Sequence, residues 1–438
     1  MNKVTVIGAG LAGVEAAFQL ARAGIPVRLA EMKPEKFSPA HGSENLAELV
    51  CSNSLKATRL SSASGMLKAE MSLMGSVCLE AAEAAEVPAG GALAVDRDEF
   101  SRLITQKVIN EPLISLERGE ITEIPDRGVC IVAAGPLVSD ALAQDIARLC
   151  GENLSFFDAA APIVCADSVD MSAAFYASRY ERGGEEDYIN CPLNREEYDI
   201  FYNELIGAKT ADLHSFDIRK DFYEACMPVE VLAARGYDTL RFGTMRPVGL
   251  RDPKTGHRPW AVLQLRREDS FGKLLNLVGF QTNLTFSEQK RVFGLIPALK
   301  NADFHRYGVM HRNTFINSPK LLDSTYAFRE RSGLFFAGQI TGVEGYMESA
   351  ASGILAGVNA ARHIKGEKPL VLPTETMMGA LAAYISSPTI KDFQPMGANF
   401  GIIPPLEEHI RDKKARYEAM AQRGLQSIKD MKIWKDNV

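Results

Sequence analysis

The sequence is poor in cysteine and tryptophan. Its 438 residues include seven cysteines and two tryptophans. No CxxC pair and no His/Cys cluster is present, so we expect no metal site. An odd number of cysteines spread thinly over a long chain is typical of a reducing compartment. No apolar stretch with a small-residue cleavage site precedes "VTVIGAG", so we predict a cytoplasmic protein with free thiols.

The chain also lacks a long apolar run and an excess of basic charge. No run of about 18 apolar residues appears, so we expect no membrane contact. The formal net charge of −6 argues against a surface that coats nucleic acid, although a local basic patch leaves a nucleic-acid substrate open. Its 46% hydrophobic and 24% charged residues are those of a soluble globular protein. The length predicts roughly two or three domains.

The N-terminal segment has the pattern of a dinucleotide-binding unit. Residues 4–7 form a short β-branched strand, "GAGLAG" and a helical pattern follow, and a second strand ends at Glu31. The three glycines permit a tight turn, close approach of backbone N–H groups to a pyrophosphate, and close packing of helix on sheet. The carboxylate of Glu31 can accept hydrogen bonds from both ribose hydroxyls. The predicted nucleotide-binding residues here are Gly8, Ala9, Gly10, Leu11, Ala12, Gly13 and Glu31.

A second glycine-rich segment, late in the sequence, favours FAD over NAD. "GLFFAGQITGVEGYMESAASGILAGVNAARHI" predicts a buried strand, a Gly-rich loop and a helix with small residues along its face. Two-part flavoproteins use such a segment to bring a second helix N-terminus toward the flavin, which adds Gly338 and Gln339 to the cofactor-binding residues. An ordinary α/β unit with glycine for packing remains the alternative.

The composition changes near residue 180. "RGGEEDYINCPLN" is charged, and the strand-like runs "WAVLQLR" and "LLNLVGF" that follow are broken by Pro and Gly. We predict an α/β fold with a Rossmann-like FAD-binding domain, discontinuous in sequence, and an inserted α/β domain. The predicted limits are 1–180 for the first part of the FAD-binding domain, 181–299 for the insertion on the substrate side, and 300–438 for the second part with its helical C-terminus.

Two cysteines stand in contexts that favour reactivity. Cys51, in "LVCSNSLKA", precedes polar residues and Lys56, and a reactive thiol needs partial exposure and positive neighbours. Cys226 is followed by Met and by Pro228, which stops backbone pairing, and arginines are frequent downstream. Simple packing is the alternative for both. The cysteines in apolar patterns, which we interpret as structural, are Cys78, Cys130, Cys150 and Cys165.

Eight segments occur in order between Val4 and about Pro405. They are "GAGLAGVEAA", "LVCSNSLK", "ALAVDR", "ACMPVEVLAARGYDTLRFG", "VGFQTNL", "EQKRVFGLIPAL", "RYGVMHRNTFINSP" and "FAGQITGVEGYMESAASG". Together they resemble the folate- and FAD-dependent tRNA (uracil-5-)-methyltransferase family. The departures are mild: Ala225 and Thr244 stand where the family often has Gly and Pro, and Arg246 stands in place of Lys.

The resemblance implies an enzyme that methylates C5 of the T-loop uridine at tRNA position 54. It also implies methylenetetrahydrofolate as one-carbon donor, FAD as cofactor and NAD(P)H as reductant. Carried over to the matching positions, Cys226 is the nucleophile that adds to C6 of uracil, and Cys51 is the base or partner thiol. His311 is a candidate for stacking on the pterin ring, with a structural histidine as the alternative.

Basic residues near the insertion are candidate phosphate contacts, with scattered surface charge as the alternative reading. They are Arg179, Arg182, Arg219, Lys220, Arg246, Arg251, Lys254 and Arg258. Two other functions remain open: a related flavoenzyme that acts on wobble uridines with a partner subunit, and a non-catalytic flavin-bearing RNA-binding protein. We predict tRNA as the macromolecular substrate and no obligate protein partner.

Overall fold

The computed structural model describes most of the chain. The described ranges are 3–38, 40–151, 154–181, 184, 186–211 and 227–431. Cys226 and three of the candidate phosphate contacts, Arg182, Arg219 and Lys220, lie outside them.

Five parallel strands form the first sheet. They are β1 (Val4–Ile7), β2 (Val27–Glu31), β6 (Ile114–Arg118), β7 (Cys130–Val132) and β16 (Leu334–Phe336). Their order across the sheet is β16-β7-β1-β2-β6. Strand β16 comes late in the chain but pairs with β7 in parallel, with Leu334 opposite Cys130. Both ends of the sequence therefore build one sheet, which confirms the predicted Rossmann-like fold that is discontinuous in sequence.

Two helices that run in parallel pack closely beside this sheet. They are α1 (Leu11–Arg22) and α11 (Tyr346–Lys365). A Cβ at Gly353 would lie 2.1 Å from the carbonyl oxygen of Ala12, and one at Gly357 would lie 2.7 Å from that of Ala16. The backbones approach so closely because glycine stands at both contacts. This contact fixes where the two helices begin relative to each other.

The remaining helices of the nucleotide-binding part pack around the same core. They are α2 (Ala63–Leu73), α3 (Val77–Ala84), α4 (Arg97–Asn110), α5 (Asp140–Cys150), α10 (Ser318–Leu321), α12 (Met377–Ile385) and α13 (Lys413–Asp430). The buried carboxylate of Glu70 joins α2 to α12. It accepts hydrogen bonds from the backbone N–H groups of Met377 (2.7 Å) and Met378 (2.9 Å).

A second, antiparallel sheet has its own hydrophobic core. Its strands are β9 (Ile163–Cys165), β10 (Phe175–Tyr176), β11 (Tyr188–Leu193), β12 (Ala261–Arg267), β13 (Leu274–Leu277) and β14 (Phe304–Arg306). Its helices are α6 (Arg195–Ile206), α7 (Val229–Ala234), α8 (Thr239–Phe242) and α9 (Phe286–Phe293). The sheet takes strands from both sides of the predicted range 181–299, and the domain limits themselves stay a prediction.

Two small sheets complete the molecule. Strands β8 (Leu154–Ala159) and β15 (Met310–Phe315) pair in antiparallel fashion. In sequence, β8 comes just before the strands of the second sheet and β15 just after them. Strand β5 (Ala92–Val95) lies between β3 (Ser54–Ala57) and β4 (Glu86–Val87). Within the described ranges, no helix is both long and apolar enough to cross a membrane.

Candidate cofactor cleft and catalytic thiol

The glycine loop between β1 and α1 forms the floor of a cleft. Gly8 has a φ of +96°, and a Cβ there would lie 2.5 Å from the carbonyl oxygen of Ala133. A Cβ at Gly13 would lie 1.8 Å from the carbonyl oxygen of Gly8. A Cβ at Gly10 would instead meet no atom within 4 Å. Gly8 and Gly13 thus serve the turn and the packing, whereas Gly10 leaves space above the loop.

The cleft encloses about 1090 Å³ of empty space, including its opening to solvent. Eight of the nine residues predicted for dinucleotide binding line it, and Gly13 packs beneath the loop instead. The lining residues from the prediction are Gly8, Ala9, Gly10, Leu11, Ala12, Glu31, Gly338 and Gln339. The early and late glycine-rich segments therefore meet at one site.

Two of the helices that begin at the cleft, α1 and α11, have a glycine at the N-cap. Gly10 caps α1 and Gly345 caps α11, and neither position has a side chain that accepts hydrogen bonds from the first turn. Free N–H groups at a helix start attract anions such as phosphate. The open space over Gly10 and the start of α1 fit the pyrophosphate of FAD, whereas the carboxylate of Glu348 already lies at the start of α11, 2.2 Å from where a Cβ at Gly345 would stand.

Glu31 closes the cleft at the end of β2. Its carboxylate accepts hydrogen bonds from the backbone N–H groups of Ala9 (2.9 Å) and Lys33 (3.1 Å). A carboxylate has about four lone-pair sites, so two contacts leave capacity for ribose hydroxyls. Lys33 itself is paired with Glu48 at 3.1 Å. The arrangement holds Glu31 rigidly where the sequence predicts ribose recognition.

Cys51 is half-buried beside the cleft, immediately after the lining residue Val50. Its sulfur lies 3.0 Å from the hydroxyl oxygen of Tyr346, and its backbone N–H donates to the same oxygen at 2.9 Å. Tyr346 is the first residue of α11 and also lines the cleft. One side chain therefore touches both the cofactor site and the predicted catalytic thiol.

Two arginines from separate elements hold the backbone next to Cys51. Arg97, at the start of α4, donates to the carbonyl oxygens of Leu49 (3.1 Å) and Val50 (3.4 Å). Arg306, in β14, donates to the carbonyl oxygen of Val50 at 3.0 Å. The segment around Cys51 is thus fixed by both halves of the molecule.

A third arginine holds the residues that follow Cys51. Arg266, in β12, donates to the hydroxyl oxygen of Ser52 at 3.2 Å and to the amide oxygen of Asn53 at 2.7 Å. These guanidinium groups make the surroundings of Cys51 cationic, which is the environment that favours a thiolate.

The structure gives Lys56 a partner that the sequence did not predict. Lys56 forms an ion pair with the buried carboxylate of Glu348, at 2.8 Å. Its φ of +65° is in the left-handed region, which is uncommon for a residue other than glycine. Three arginines and Tyr346 add polar contacts to the Cys51 segment that the sequence did not indicate.

The cysteines that the sequence predicts to be structural differ in how deeply they are buried. Cys78 and Cys130 are buried, and burial raises the pKa of Cys130 to about 12 and that of Cys78 well above its ordinary value. Cys150 and Cys165 are only partly buried, so the apolar pattern overstated their enclosure. Burial still raises the pKa of Cys150 to about 12, which makes it a poor nucleophile.

His311 and Cys226 are the least defined of the predicted site residues. Strand β15 places the backbone of His311 opposite Asp158, and its side chain is not among those described. Cys226 lies outside the described residues, and Met227, which follows it, is buried. No cluster of His, Cys, Asp and Glu suited to a metal occurs among the residues described.

Sequence reasoning missed Tyr346 and the three arginines of the Cys51 segment. One signal was present for Tyr346, since it follows Gly345 directly in the late glycine-rich segment. The arginines are separated by long stretches of sequence, at positions 97, 266 and 306. Arg97 and Arg306 end and begin two of the family-like segments, "ALAVDR" and "RYGVMHRNTFINSP", but nothing local indicates that the three side chains meet at Cys51.

Comparison with known proteins identifies a matching family model and relatives that share one name. The family model described as glucose inhibited division protein A matches residues 3–368. A Pelotomaculum thermopropionicum protein named methylenetetrahydrofolate–tRNA-(uracil-5-)-methyltransferase TrmFO is 57% identical over 426 residues, 97% of each chain. An Enterococcus faecalis protein of the same name is 56% identical over 425 residues, again 97% of each chain.

A solved structure shares the fold. GidA from Aquifex aeolicus, in its form II crystal, superposes with a TM-score of 0.69 over 99% of this chain and 75% of that chain. The two sequences are 17% identical, so the likeness concerns the fold alone.

Proposed function

The chain belongs to the glucose inhibited division protein A family and, within it, to the folate- and FAD-dependent tRNA (uracil-5-)-methyltransferases; we propose that it forms 5-methyluridine at position 54 of the tRNA T loop. The one-carbon donor is methylenetetrahydrofolate. When bound, FAD supplies the reducing electrons for the methyl group, and NAD(P)H replenishes them. We include no obligate protein partner in the proposal.

The observation that carries this proposal is the contact between the cofactor cleft and Cys51. The side chain of Tyr346 lines the cleft and touches the sulfur of Cys51 at 3.0 Å. A reducing cofactor and a thiol are both needed if a one-carbon unit is to be attached to uracil and reduced to a methyl group. Their convergence favours an enzyme over a non-catalytic flavin carrier.

The two cysteines have different tasks in the proposed reaction. C5 of uracil is a weak nucleophile until a thiolate adds to C6. We assign this addition to Cys226. A base must later remove the C5 proton, and we assign that step to Cys51, which lies beside the cleft in contact with its lining residue Tyr346. His311, in β15, is the proposed stacking partner of the pterin ring.

The second sheet and its helices are the proposed tRNA side of the molecule. Arg246, Arg251 and Arg258 are exposed there. Arg251 and Arg258 flank a turn in which the N–H of Asp252 donates to the carbonyl oxygen of His257 at 3.0 Å. The turn brings the backbones of these two exposed arginines close together, which supports them as joint phosphate contacts.

Two other candidate phosphate contacts already donate hydrogen bonds to groups of the protein. Arg179 donates to the amide oxygen of Gln264 at 2.8 Å, and Lys254 donates to the carbonyl oxygen of Ser172. We therefore propose that Arg179 and Lys254 stabilise the part of the protein built on the second sheet. Arg246, Arg251 and Arg258 remain the proposed phosphate contacts.

The decisive experiment is one incubation with analysis of the product. The purified FAD-loaded protein is mixed with unmodified tRNA, methylenetetrahydrofolate carrying an isotope in its methylene group, and NADPH. Nucleoside mass spectrometry should detect labelled 5-methyluridine, and fragment mapping should place it at position 54. Label at a wobble uridine would favour the related flavoenzyme, and tRNA without label would contradict the proposal.

A further inference from the structure

The hydroxyl group of Tyr346 can donate one hydrogen bond, and it lies close to several groups of the Cys51 segment. Its oxygen accepts hydrogen bonds from the backbone N–H of Cys51 at 2.9 Å and, more weakly, from that of Ser52 at 3.4 Å. The cysteine sulfur lies 3.0 Å from the same oxygen. By distance alone either group could donate in this contact, but the N–H groups occupy lone pairs of the oxygen, which favours the hydroxyl as the donor to the sulfur.

The tyrosine keeps that proton at neutral pH. Its ring is half-buried and faces the cleft, while the surroundings of its hydroxyl are enclosed, and burial raises the pKa of Tyr346 well above its ordinary value. A neutral hydroxyl that donates to sulfur stabilises a thiolate more than a thiol, since hydrogen bonds to charged acceptors are the stronger ones.

The position of the sulfur is fixed relative to this donor. Arg97 and Arg306 hold the carbonyl oxygens that precede Cys51, and Arg266 holds Ser52 after it. Arg97 is itself anchored by Glu268 through an ion pair of 2.7 Å. The loop therefore has little freedom to move its thiol away from the tyrosine.

We propose that Tyr346 is a positioning residue for Cys51: its O–H group donates to the sulfur, favours the thiolate, and holds it beside the cofactor cleft. This inference rests on the proposed function, in which Cys51 accepts the C5 proton of uracil. The proton passes to sulfur, the electron pair of the C–H bond forms the C5=C6 double bond, and the other thiolate leaves C6. Tyr346 keeps its own proton throughout.

The test is the pH dependence of Cys51 alkylation in Tyr346→Phe, which retains the ring but lacks the donor. FAD-loaded protein is treated with iodoacetamide between pH 5 and 10, and the peptide that contains Cys51 is quantified by mass spectrometry. We expect the midpoint of reactivity to rise by about one pH unit or more, since a hydrogen bond to a charged group contributes that much. FAD content should stay near one per chain, and kcat for tRNA methylation should fall more than tenfold.

Tyr384→Phe is the matched control, because its hydroxyl donates to the carbonyl oxygen of Gln394 at 2.8 Å, away from the cleft. It should leave the Cys51 midpoint unchanged. If Tyr346→Phe loses FAD, a fluorinated tyrosine at position 346 replaces it, and its more acidic hydroxyl should lower the midpoint. An unchanged midpoint in the Phe variant, or in its fluorinated replacement, overturns the inference.

The alkylation measurement contains no tRNA or folate, so it separates the two proposals. A shifted midpoint in a protein that methylates no tRNA would leave the Tyr346–Cys51 contact intact and remove the proposed function. If the wild type methylates tRNA normally but the Cys51 midpoint is equal in Tyr346→Phe and wild type, the proposed function stands and the inference about Tyr346 fails.

Discussion

Gly10 and Gly353 are both required to be small, but for different reasons. A Cβ at Gly353 would lie 2.1 Å from a backbone oxygen of α1, so that glycine permits helix packing. A Cβ at Gly10 would meet no protein atom within 4 Å and would extend into the cleft. Gly10 therefore reserves space for the cofactor, and its replacement should leave the fold intact.

The first prediction follows from this difference. Gly10→Val should fold with a melting temperature within a few degrees of wild type but bind FAD at least tenfold more weakly, because its side chain occupies the space for the pyrophosphate. Flavin absorbance per chain and thermal unfolding of the apoprotein measure the two effects. Gly207→Val, at the exposed end of α6, is the control and should retain FAD. Full flavin content in Gly10→Val would contradict this role of the cleft.

The two cysteines give a second prediction at the same scale. tRNA with 5-fluorouridine at the target has no C5 proton to remove, so the wild-type enzyme should stay covalently attached to it. Cys226→Ser should form no adduct, since a hydroxyl is a far weaker nucleophile than a thiolate. Cys51→Ala should lose turnover yet retain the adduct when the electrophile can still form. Denaturing gel mobility distinguishes the three proteins.

The reverse pattern, with an adduct in Cys226→Ser and none in Cys51→Ala, would exchange the two roles. Full methylation by both variants would return both cysteines to structural residues.

At the scale of secondary structure, a buried acid joins α2 to α12. Burial raises the pKa of Glu70 to about 8, although the N–H groups of Met377 and Met378 partly oppose the shift. Between the ordinary carboxyl pKa near 4.5 and a folded pKa near 8, the folded protein holds a proton that the unfolded chain releases. The contribution of Glu70 to stability is therefore complete at low pH and is lost as pH rises through this window.

The third prediction compares the unfolding free energy at pH 5.5 and pH 8 in wild type and Glu70→Gln. Across this range the unfolding free energy of wild type should fall by roughly a few kcal/mol more than that of the variant, since one pKa unit corresponds to about 1.4 kcal/mol. Urea unfolding followed by circular dichroism gives both values. Glu83→Gln, an exposed change on α3, should keep the wild-type pH dependence. Equal slopes in wild type and Glu70→Gln would refute the assignment.

At the scale of the whole molecule, the protein and its proposed substrate both carry a negative net charge. The formal net charge is −6, and the proposed substrate is a polyanion. Binding then depends on a local basic surface, and phosphate contacts make it sensitive to salt through release of counterions. The exposed arginines at 246, 251 and 258 belong to the second sheet unit, apart from the glycine loop of the cofactor cleft.

The fourth prediction concerns these arginines. Replacing Arg246, Arg251 and Arg258 together by Ala should weaken tRNA binding at least tenfold at moderate salt. The slope of log Kd against log salt should also become shallower, by roughly 0.7 to 0.9 for each phosphate that the variant no longer neutralises. Filter binding over a salt series measures both quantities, and FAD content should not change.

The control removes the same amount of charge elsewhere. Lys413, Lys414 and Lys429 are exposed on α13, and their joint replacement by Ala should leave both the affinity and the slope close to wild type. If both triple variants weaken binding equally, overall charge and not a defined surface governs the interaction.

The sequence alone determined the nucleotide-binding framework. Strand β1, the glycine loop, α1 and β2 follow one another within about thirty residues, and their apolar periodicity and glycine spacing are local properties of the chain. Strand β16 and α11 were predictable for the same reason. The resemblance to a known family then supplied the roles of Cys51 and Cys226, which composition and spacing had left open.

Tertiary structure decided what surrounds Cys51. Tyr346 lies 295 positions away in sequence, and the arginines reach the loop from three separate elements. Lys56, the cationic neighbour suggested by the sequence, forms an ion pair with Glu348 of α11. Periodicity specifies which face of an element is buried, but the contacts between side chains far apart in sequence depend on how both sheets and their helices pack together.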